Sequence, residues 1–313
     1  VIVASIDIGT NTLRLLIADL QSHPSRTGWP AWVILHEDRR ITRLGEAIHS
    51  TGRLKTQAMA RTLSALRAFK SAVDRHAVEA VVCVGTSAVR ETANGLAFVG
   101  EIRRKIGLEV EVIEGQEEAR RTLLGIEWGL GETPDTLLAV DIGGGSTELI
   151  AKVHGQPTRI LTTSLGVVKL AEQYLRSDPL SPEDQQRLIS AIETPLKAVW
   201  EELGMLKDPV VVGTAGTVTT LAAMQLGLIE YDPERVQNFR MTREQVEAWF
   251  RRLSGLPLAE RCTLPGLERG REDLIVAGAA ILMVVLRRAR VKEWVVSDAG
   301  LREGLLVDWW QRH

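Results

Sequence analysis

The sequence predicts an α/β fold built from two duplicated units, each with a mixed sheet. A short pattern of strand, tight polar turn and strand occurs twice: Asp7-Ile8-Gly9-Thr10-Asn11-Thr12-Leu13-Arg14, and Asp141-Ile142-Gly143-Gly144-Gly145-Ser146-Thr147-Glu148. After each copy the chain reads as one more strand and then alternates helices with strands, the order that builds a partly parallel sheet. The length, 313 residues, exceeds one ordinary core and suits two domains.

In the first half, residues 1–7, 12–19 and 32–40 read as strands, with a Ser/Pro/Gly-rich turn at 22–30. Met59, Leu63, Leu66, Phe69 and Val73 recur at helical spacing, predicting a helix over 56–76. Residues 78–84 form an apolar run of the kind covered on both faces of a sheet. It enters Gly85-Thr86-Ser87-Ala88-Val89-Arg90, a loop opening a helix. A helix at 96–106, a short strand at 109–113 and a helix from Glu114 to about Gly129 follow. Residues 129–135 are the best linker, giving expected domains 1–128 and 129–313, with the terminal helix 301–313 free to pack back on the first.

The second half repeats the order. Strands are expected at 136–140, 147–153 and 157–163, and helices at 167–176 and Pro182–Leu203, the latter with Ser181 as N-cap and Pro182 at N1. A strand at 210–212 enters Gly213-Thr214-Ala215-Gly216-Thr217, which opens a helix to Leu228. Thr242 and Gln245 have capping-box spacing at the start of a helix over 241–253. Residues 273–290 form a nearly all-apolar, buried helix, followed by a strand at 294–296 and a helix at 301–310.

Composition excludes several classes. Hydrophobic residues make up 45% and charged residues 25%, as in a soluble globular protein, and the net charge of −2 gives no basic face for nucleic acid. No run has the apolar length of a membrane span. The start, residues 1–9, reads as a buried strand with no basic region or cleavage site of a leader. Cys83 and Cys262 have no CxxC neighbour, so both read as reduced and structural, as expected in the cytoplasm. The six histidines form no metal-spaced cluster, and the eight tryptophans are scattered.

The glycine turns carry the chemistry. Without Cβ atoms, successive N–H groups turn toward one point and approach an anion closely. The amides of Gly143, Gly144, Gly145 and Ser146 are the expected phosphate cradle. Asp141 and Glu148 bracket it; carboxylates do not bind phosphate, but they hold the Mg²⁺ that does. Asp7, in the corresponding place of the first copy, is the third candidate metal ligand, and Thr10 and Asn11 are placed to contact further phosphates. Either turn alone would suit an ordinary hairpin. Two of them, each with an Asp at the same place, favour a shared phosphate and metal site clasped across a cleft.

Other candidates keep two readings on residues alone. Arg14 is an exposed strand cation or a ligand contact. Arg90, after Thr86-Ser87, is part of an anion site at a helix start, or a surface Arg beside a cap. Glu117 and Glu118 point about 100° apart on a helix, and by composition they are a solvated acidic first turn. The Gly213 segment has no third glycine for a dinucleotide fingerprint, and no GxxxxGK occurs anywhere. Arg271 reads on residues alone as an ion-pair partner of Glu272 or Asp273.

Taken together, SIDIGTNTLRLLIAD, VGTSAVRETANG, VIEGQEEAR, VDIGGGSTELI, SLGVVKL, GTAGTVTTLAA, the stretch around Arg271 and SDAGLREGLL resemble the exopolyphosphatase and guanosine pentaphosphate phosphohydrolase (Ppx/GppA) family over nearly the whole chain. The resemblance is to the short form, without the C-terminal HD-like domain. It implies a two-domain actin-like (ribonuclease H-like) fold with a cleft between the domains. It also implies Mg²⁺ or Mn²⁺ as cofactor, and polyphosphate or guanosine penta- and tetraphosphate as the small anionic partner. It gives Glu117 the role of orienting the attacking water, with Glu118 as an exposed neighbour. It makes Arg90 and Arg14 phosphate or substrate contacts, and places Gly213, Thr214, Gly216, Thr217 and Arg271 near the ligand. Asp298 is expected as a helix cap. One departure stands out: where relatives often carry a His-Gly pair after a Tyr-Asp-Pro segment, this chain reads Tyr231-Asp232-Pro233-Glu234-Arg235-Val236-Gln237-Asn238-Phe239. A sugar or carboxylate kinase of the same superfamily and a non-catalytic sensor are the rival readings. A homodimer is compatible with the sequence, though no motif calls for one.

Overall fold

The computed structural model describes residues 1–24 and 28–313. Its strands are β1 (Ile2–Ile8), β2 (Thr12–Pro24), β3 (Pro30–Ile41), β4 (Ala80–Gly85), β5 (Glu111–Val112), β6 (Thr136–Ile142), β7 (Thr147–Val153), β8 (Arg159–Thr163), β9 (Val210–Thr214), β10 (Arg240–Thr242) and β11 (Glu293–Val296). They form two sheets, ordered β3-β2-β1-β4-β5 and β10-β11-β9-β6-β7-β8. Read from β8, the second has the same order as the first, with β10 added at the far edge. In both, an antiparallel meander of three strands is continued by parallel strands. Both units are thus mixed α/β sheets of the expected kind. Part of the turn expected at 22–30, residues 25–27, lies outside the described residues.

The chain divides into unit 1, Val1–Glu132 with Ala299–His313, and unit 2, Thr133–Asp298. The second range therefore ends at 298 and not at 313, because the C-terminal helix Leu301–Arg312 buries its apolar stripe in unit 1. Leu306 packs with Val3, Leu16, Ala18 and Leu20, and Leu305 with Val84 and Ile113. The opposite sheet face, carrying Ala4, Ile6, Ile8, Leu13 and Leu15, packs on the helices Thr56–Arg75 and Gly95–Ile106. Side chains alternate across a strand, so Asp7 and Arg14 share the Val3 and Leu16 face, the one that the C-terminal helix covers. Trp309 and Trp310 pack beside Trp32, which stacks on Trp128 at 4.0 Å.

The C-terminal helix crosses the helix Gly115–Leu130 backbone to backbone. A Cβ on Gly304 would lie 1.7 Å from the Arg121 carbonyl oxygen, and one on Gly125 would lie 2.0 Å from that of Gly300. Only glycine permits this approach.

In unit 2, Leu138, Val140 and Ile142 point into a core closed by the helices Pro182–Leu203, Ala215–Gln225 and Ile275–Ala289. The long helix starts where its cap predicts, with the Ser181 hydroxyl accepting from the Asp184 amide at 3.2 Å. The capping box at Thr242 and Gln245 forms with both of its hydrogen bonds. Three-residue β10 has no expected counterpart, because so short a run carries no readable alternation. Cys83 is buried, whereas Cys262 is exposed and has no structural role in a core. No helix is long and apolar enough to cross a membrane among the described residues.

Replacing Gly304 by Ala should force the two helices apart. The expected cost lies at the upper end of the ~1–3 kcal/mol of overpacking, a fall in thermal midpoint of roughly 5–10 °C. Differential scanning calorimetry checks it, and an unchanged midpoint would disprove the close crossing.

Candidate functional site

Each sheet carries one of the duplicated turns, and the two are built alike. In unit 2 the Gly143 amide donates to the Ser146 carbonyl at 2.9 Å; in unit 1 the Gly9 amide donates to the Thr12 carbonyl at 3.1 Å. Flanking pairs are in the same register: Asp141 lies across from Glu148, and Asp7 across from Arg14. The segment after the third strand then ties down two turn carbonyls. Val167 and Val168 donate to Gly143 and Gly144 at 3.1 and 3.0 Å. In unit 1, Gly45 donates to Thr10 at 2.7 Å, and Thr42 and Arg43 donate to Asn11 at 3.1 and 3.0 Å. Carbonyl oxygens that would repel an anion are thereby spent inside the fold.

This arrangement depends on a Leu-Gly pair whose second copy lies in SLGVVKL and whose first copy, and whose role, the sequence did not reveal. A Cβ on Gly166 would lie 2.3 Å from the Gly144 oxygen, and one on Gly45 would lie 2.1 Å from the Thr10 methyl carbon. The available signal was the repeat itself: Leu44-Gly45 and Leu165-Gly166 each follow the third strand of their half.

The turn also corrects the expected cradle. The Gly143 amide is used within the turn and so is not available to an anion. Asp141 and Glu148 do come together, as a directly opposed pair on one sheet face, and Glu148 is 1% exposed. Among the described residues no three His, Cys, Asp or Glu side chains form a metal-holding group. Two carboxylates still fit Mg²⁺, which binds through one or two of them and takes its other oxygens from phosphate and water. In unit 1, Arg14 stands where Glu148 stands in unit 2, so that hairpin pairs an acid with a base. Thr10 and Asn11 are buried, and the Asn11 Oδ1 accepts no hydrogen bond from the protein.

At the end of β9, Thr214 precedes the helix Ala215–Gln225, and Ala215 takes a left-handed φ of 71°. That strained entry aims the helix start outward from the parallel strand end, the place where anions bind in such sheets. Arg271, 6% exposed, lies against it: a Cβ on Gly216 would meet the guanidinium at 2.2 Å. It forms an ion pair with Glu268. Thr217 departs from expectation, because its hydroxyl packs against Gly278 of the helix Ile275–Ala289, leaving the side chain a packing role.

Arg90 and the adjacent acids need the largest correction. The helix at Thr86 is only Ser87–Arg90, too short to supply much dipole. Arg90 itself is 14% exposed; its Nη1 donates to the Ile113 carbonyl at 2.6 Å and to Glu118 at 3.2 Å. Glu118, its side chain 13% exposed, is thus the acid that faces Arg90. Glu117 faces the other way. It accepts two hydrogen bonds from Arg120, at 2.7 and 2.8 Å, and one from Arg121 at 2.6 Å. These bonds, Arg120's first and then Arg121's, hold its carboxyl at a pKa of about 2. A carboxylate bound by two guanidiniums is a poor proton acceptor.

Asp298 does not cap the C-terminal helix; the cap is Gly300, whose amide donates to Glu303 at 2.9 Å. Asp298 instead accepts from the Tyr231 hydroxyl, and its amide donates to the Gln237 Oε1 at 2.8 Å. Asn238 has a φ of 62°, so the Gln-Asn pair keeps a left-handed backbone that Asn tolerates.

The Glu117 pairs carry a pH signature. The folded carboxyl titrates below its ordinary 4.5, so its contribution is present above that value and is lost as the pH falls toward about 2. Glu117→Gln should be less stable than the parent at neutral pH, with the gap narrowing between pH 4.5 and 2. Urea unfolding midpoints across that range check this; a gap independent of pH contradicts it.

Comparison with known proteins agrees with this geometry. A family model described as the Ppx/GppA phosphatase family matches residues 25–313. Exopolyphosphatase 2 of Mycobacterium tuberculosis is 33% identical over 318 residues, covering 97% of each chain. The crystal structure of the Aquifex aeolicus Ppx/GppA family member superposes with a TM-score of 0.82 at 34% identity, covering 99% of this chain and 98% of that one. An exopolyphosphatase from Cytophaga hutchinsonii superposes with a TM-score of 0.87 at 26% identity, covering 100% and 98%.

Proposed function

Because the chain belongs to the Ppx/GppA phosphatase family, we propose that it is a phosphohydrolase with an actin-like fold that releases terminal orthophosphate from inorganic polyphosphate. The observation that carries this reading is the unit 2 turn, with its carbonyls bound off beside a matched pair of carboxylates. Such a turn holds a phosphate by amides while Asp141 and Glu148 hold a divalent metal. Bound there, Mg²⁺ or Mn²⁺ would neutralise charge on phosphate oxygens as the bridging bond breaks. The helix start at Thr214, with Arg271 against Gly216, offers a second positive locus for the rest of an anionic chain.

Phosphoryl transfer asks a protein mainly for alignment and charge. We assign the water-orienting role to Glu118. Water oxygen bonds to the terminal phosphorus as the P–O bond to the next phosphate breaks, and the water proton passes to Glu118 and on to solvent. Arg90 holds Glu118 in place through its hydrogen bond. Glu117 takes no part in the proton transfer. The names of the relatives favour polyphosphate; guanosine pentaphosphate has the same terminal anhydride and is the second substrate to test.

Phosphate release by purified protein on short polyphosphate, long polyphosphate and guanosine pentaphosphate, with and without Mg²⁺, tests the proposal. Release without any acceptor molecule is expected, which a kinase would not give. Glu118→Gln should lower kcat by about 10²–10⁴, whereas Glu117→Gln keeps most turnover. No release from any substrate, or full activity in Glu118→Gln, would overturn this reading.

A further inference from the structure

We infer that Asp308, on the C-terminal helix, is a positioning residue for Glu118; the inference rests on the water-orienting role just proposed. Three acids and three arginines meet between β5, the helix Gly115–Leu130 and the C-terminal helix. Arg120 bridges Glu117 to Asp308, reaching Asp308 Oδ1 at 2.6 Å. Arg121 bridges Glu117 to Glu111 at 2.6 and 2.8 Å and approaches Asp308 Oδ2 at 3.5 Å. Arg312 closes the set, 2.8 Å from Asp308 Oδ2. The Arg121 side chain is 4% exposed and that of Asp308 is 10% exposed, so the centre is dry.

Such a network is a poor source of net stability, because desolvating the charges offsets much of their attraction. What it supplies is direction. The glycine crossing at Gly304 and Gly125 sets how closely the two helices approach, and it confines rotation about the helix axis to a narrow range within which side-chain bonds decide the angle. The bonds from Arg120 and Arg121 to Asp308 and Glu111 fix that rotation. Glu118 sits in the same first turn, pointing about 100° from Glu117. A rotation of about 10° moves a carboxylate carried ~6 Å from the axis by about 1 Å, and a misplacement of that size at a reacting centre costs on the order of 10²-fold in rate. A residue 190 positions from Glu118 thereby sets the aim of the acid.

Asp308→Asn tests the inference. The amide sets a donor against the donors of Arg312 and Arg121 without changing side-chain size. On polyphosphate, kcat should fall about tenfold while KM stays within twofold. A double-mutant cycle then separates positioning from general structure. Added to Glu118→Gln, the same change should lower the residual rate by less than twofold, since the group it positions is already gone. An unchanged kcat in Asp308→Asn, or the same tenfold loss in both backgrounds, would overturn the inference while leaving the role of Glu118 intact. Full activity in Glu118→Gln alone would instead remove the reading beneath it. Arg120→Gln, at a side chain 39% exposed, applies the same cycle if Asp308→Asn does not fold.

Discussion

Each unit depends on one constraint: a four-residue turn must keep its carbonyl oxygens occupied so that its amides are what an anion meets. Peptide groups carry donor and acceptor together, so a turn does not offer one without disposing of the other. Here disposal falls to the Leu-Gly segment after the third strand, which approaches too closely for any side chain at Gly45 or Gly166. The order of the meander, the length of the third strand and the buried Leu44 and Leu165 all serve to bring that segment back to the turn.

The two copies of this device have diverged in charge. Unit 2 presents two carboxylates, suited to a cation that shares the phosphate oxygens. Unit 1 presents Asp7 across from Arg14, which needs no cation to balance it. Duplication thus supplied one geometry, and a change at one register position made the copies chemically unequal.

Much of this was legible in the sequence because it rests on local signals. The eight-residue repeat aligns without a gap, and the strands pair in that register. Ser181 with Pro182, and Thr242 with Gln245, mark helix starts that the structure places where expected. What was not legible rests on distant contacts. Adjacent acids look alike in a sequence, and which of Glu117 and Glu118 faces Arg90 is decided by arginines that bind Asp308, far along the chain. Thr217 looked like a loop hydroxyl until the packing of Gly278 against it was known. The Leu-Gly pair was legible only in its second copy, inside SLGVVKL; Leu44-Gly45 gains its meaning from the close approach of Gly45 to Thr10.

Unit 1 is assembled from both ends of the sequence, and this bears on the order of biosynthesis. When residue 132 has left the ribosome, Val3, Leu16, Ala18 and Leu20 still lack the helix that covers them. About 170 further residues must be translated first, on the order of ten to thirty seconds of elongation. Unit 2, being continuous, can complete its core within that interval. Nascent chains therefore spend their vulnerable period with an uncovered apolar sheet face in the N-terminal half, the surface on which chaperone contact or aggregation would begin.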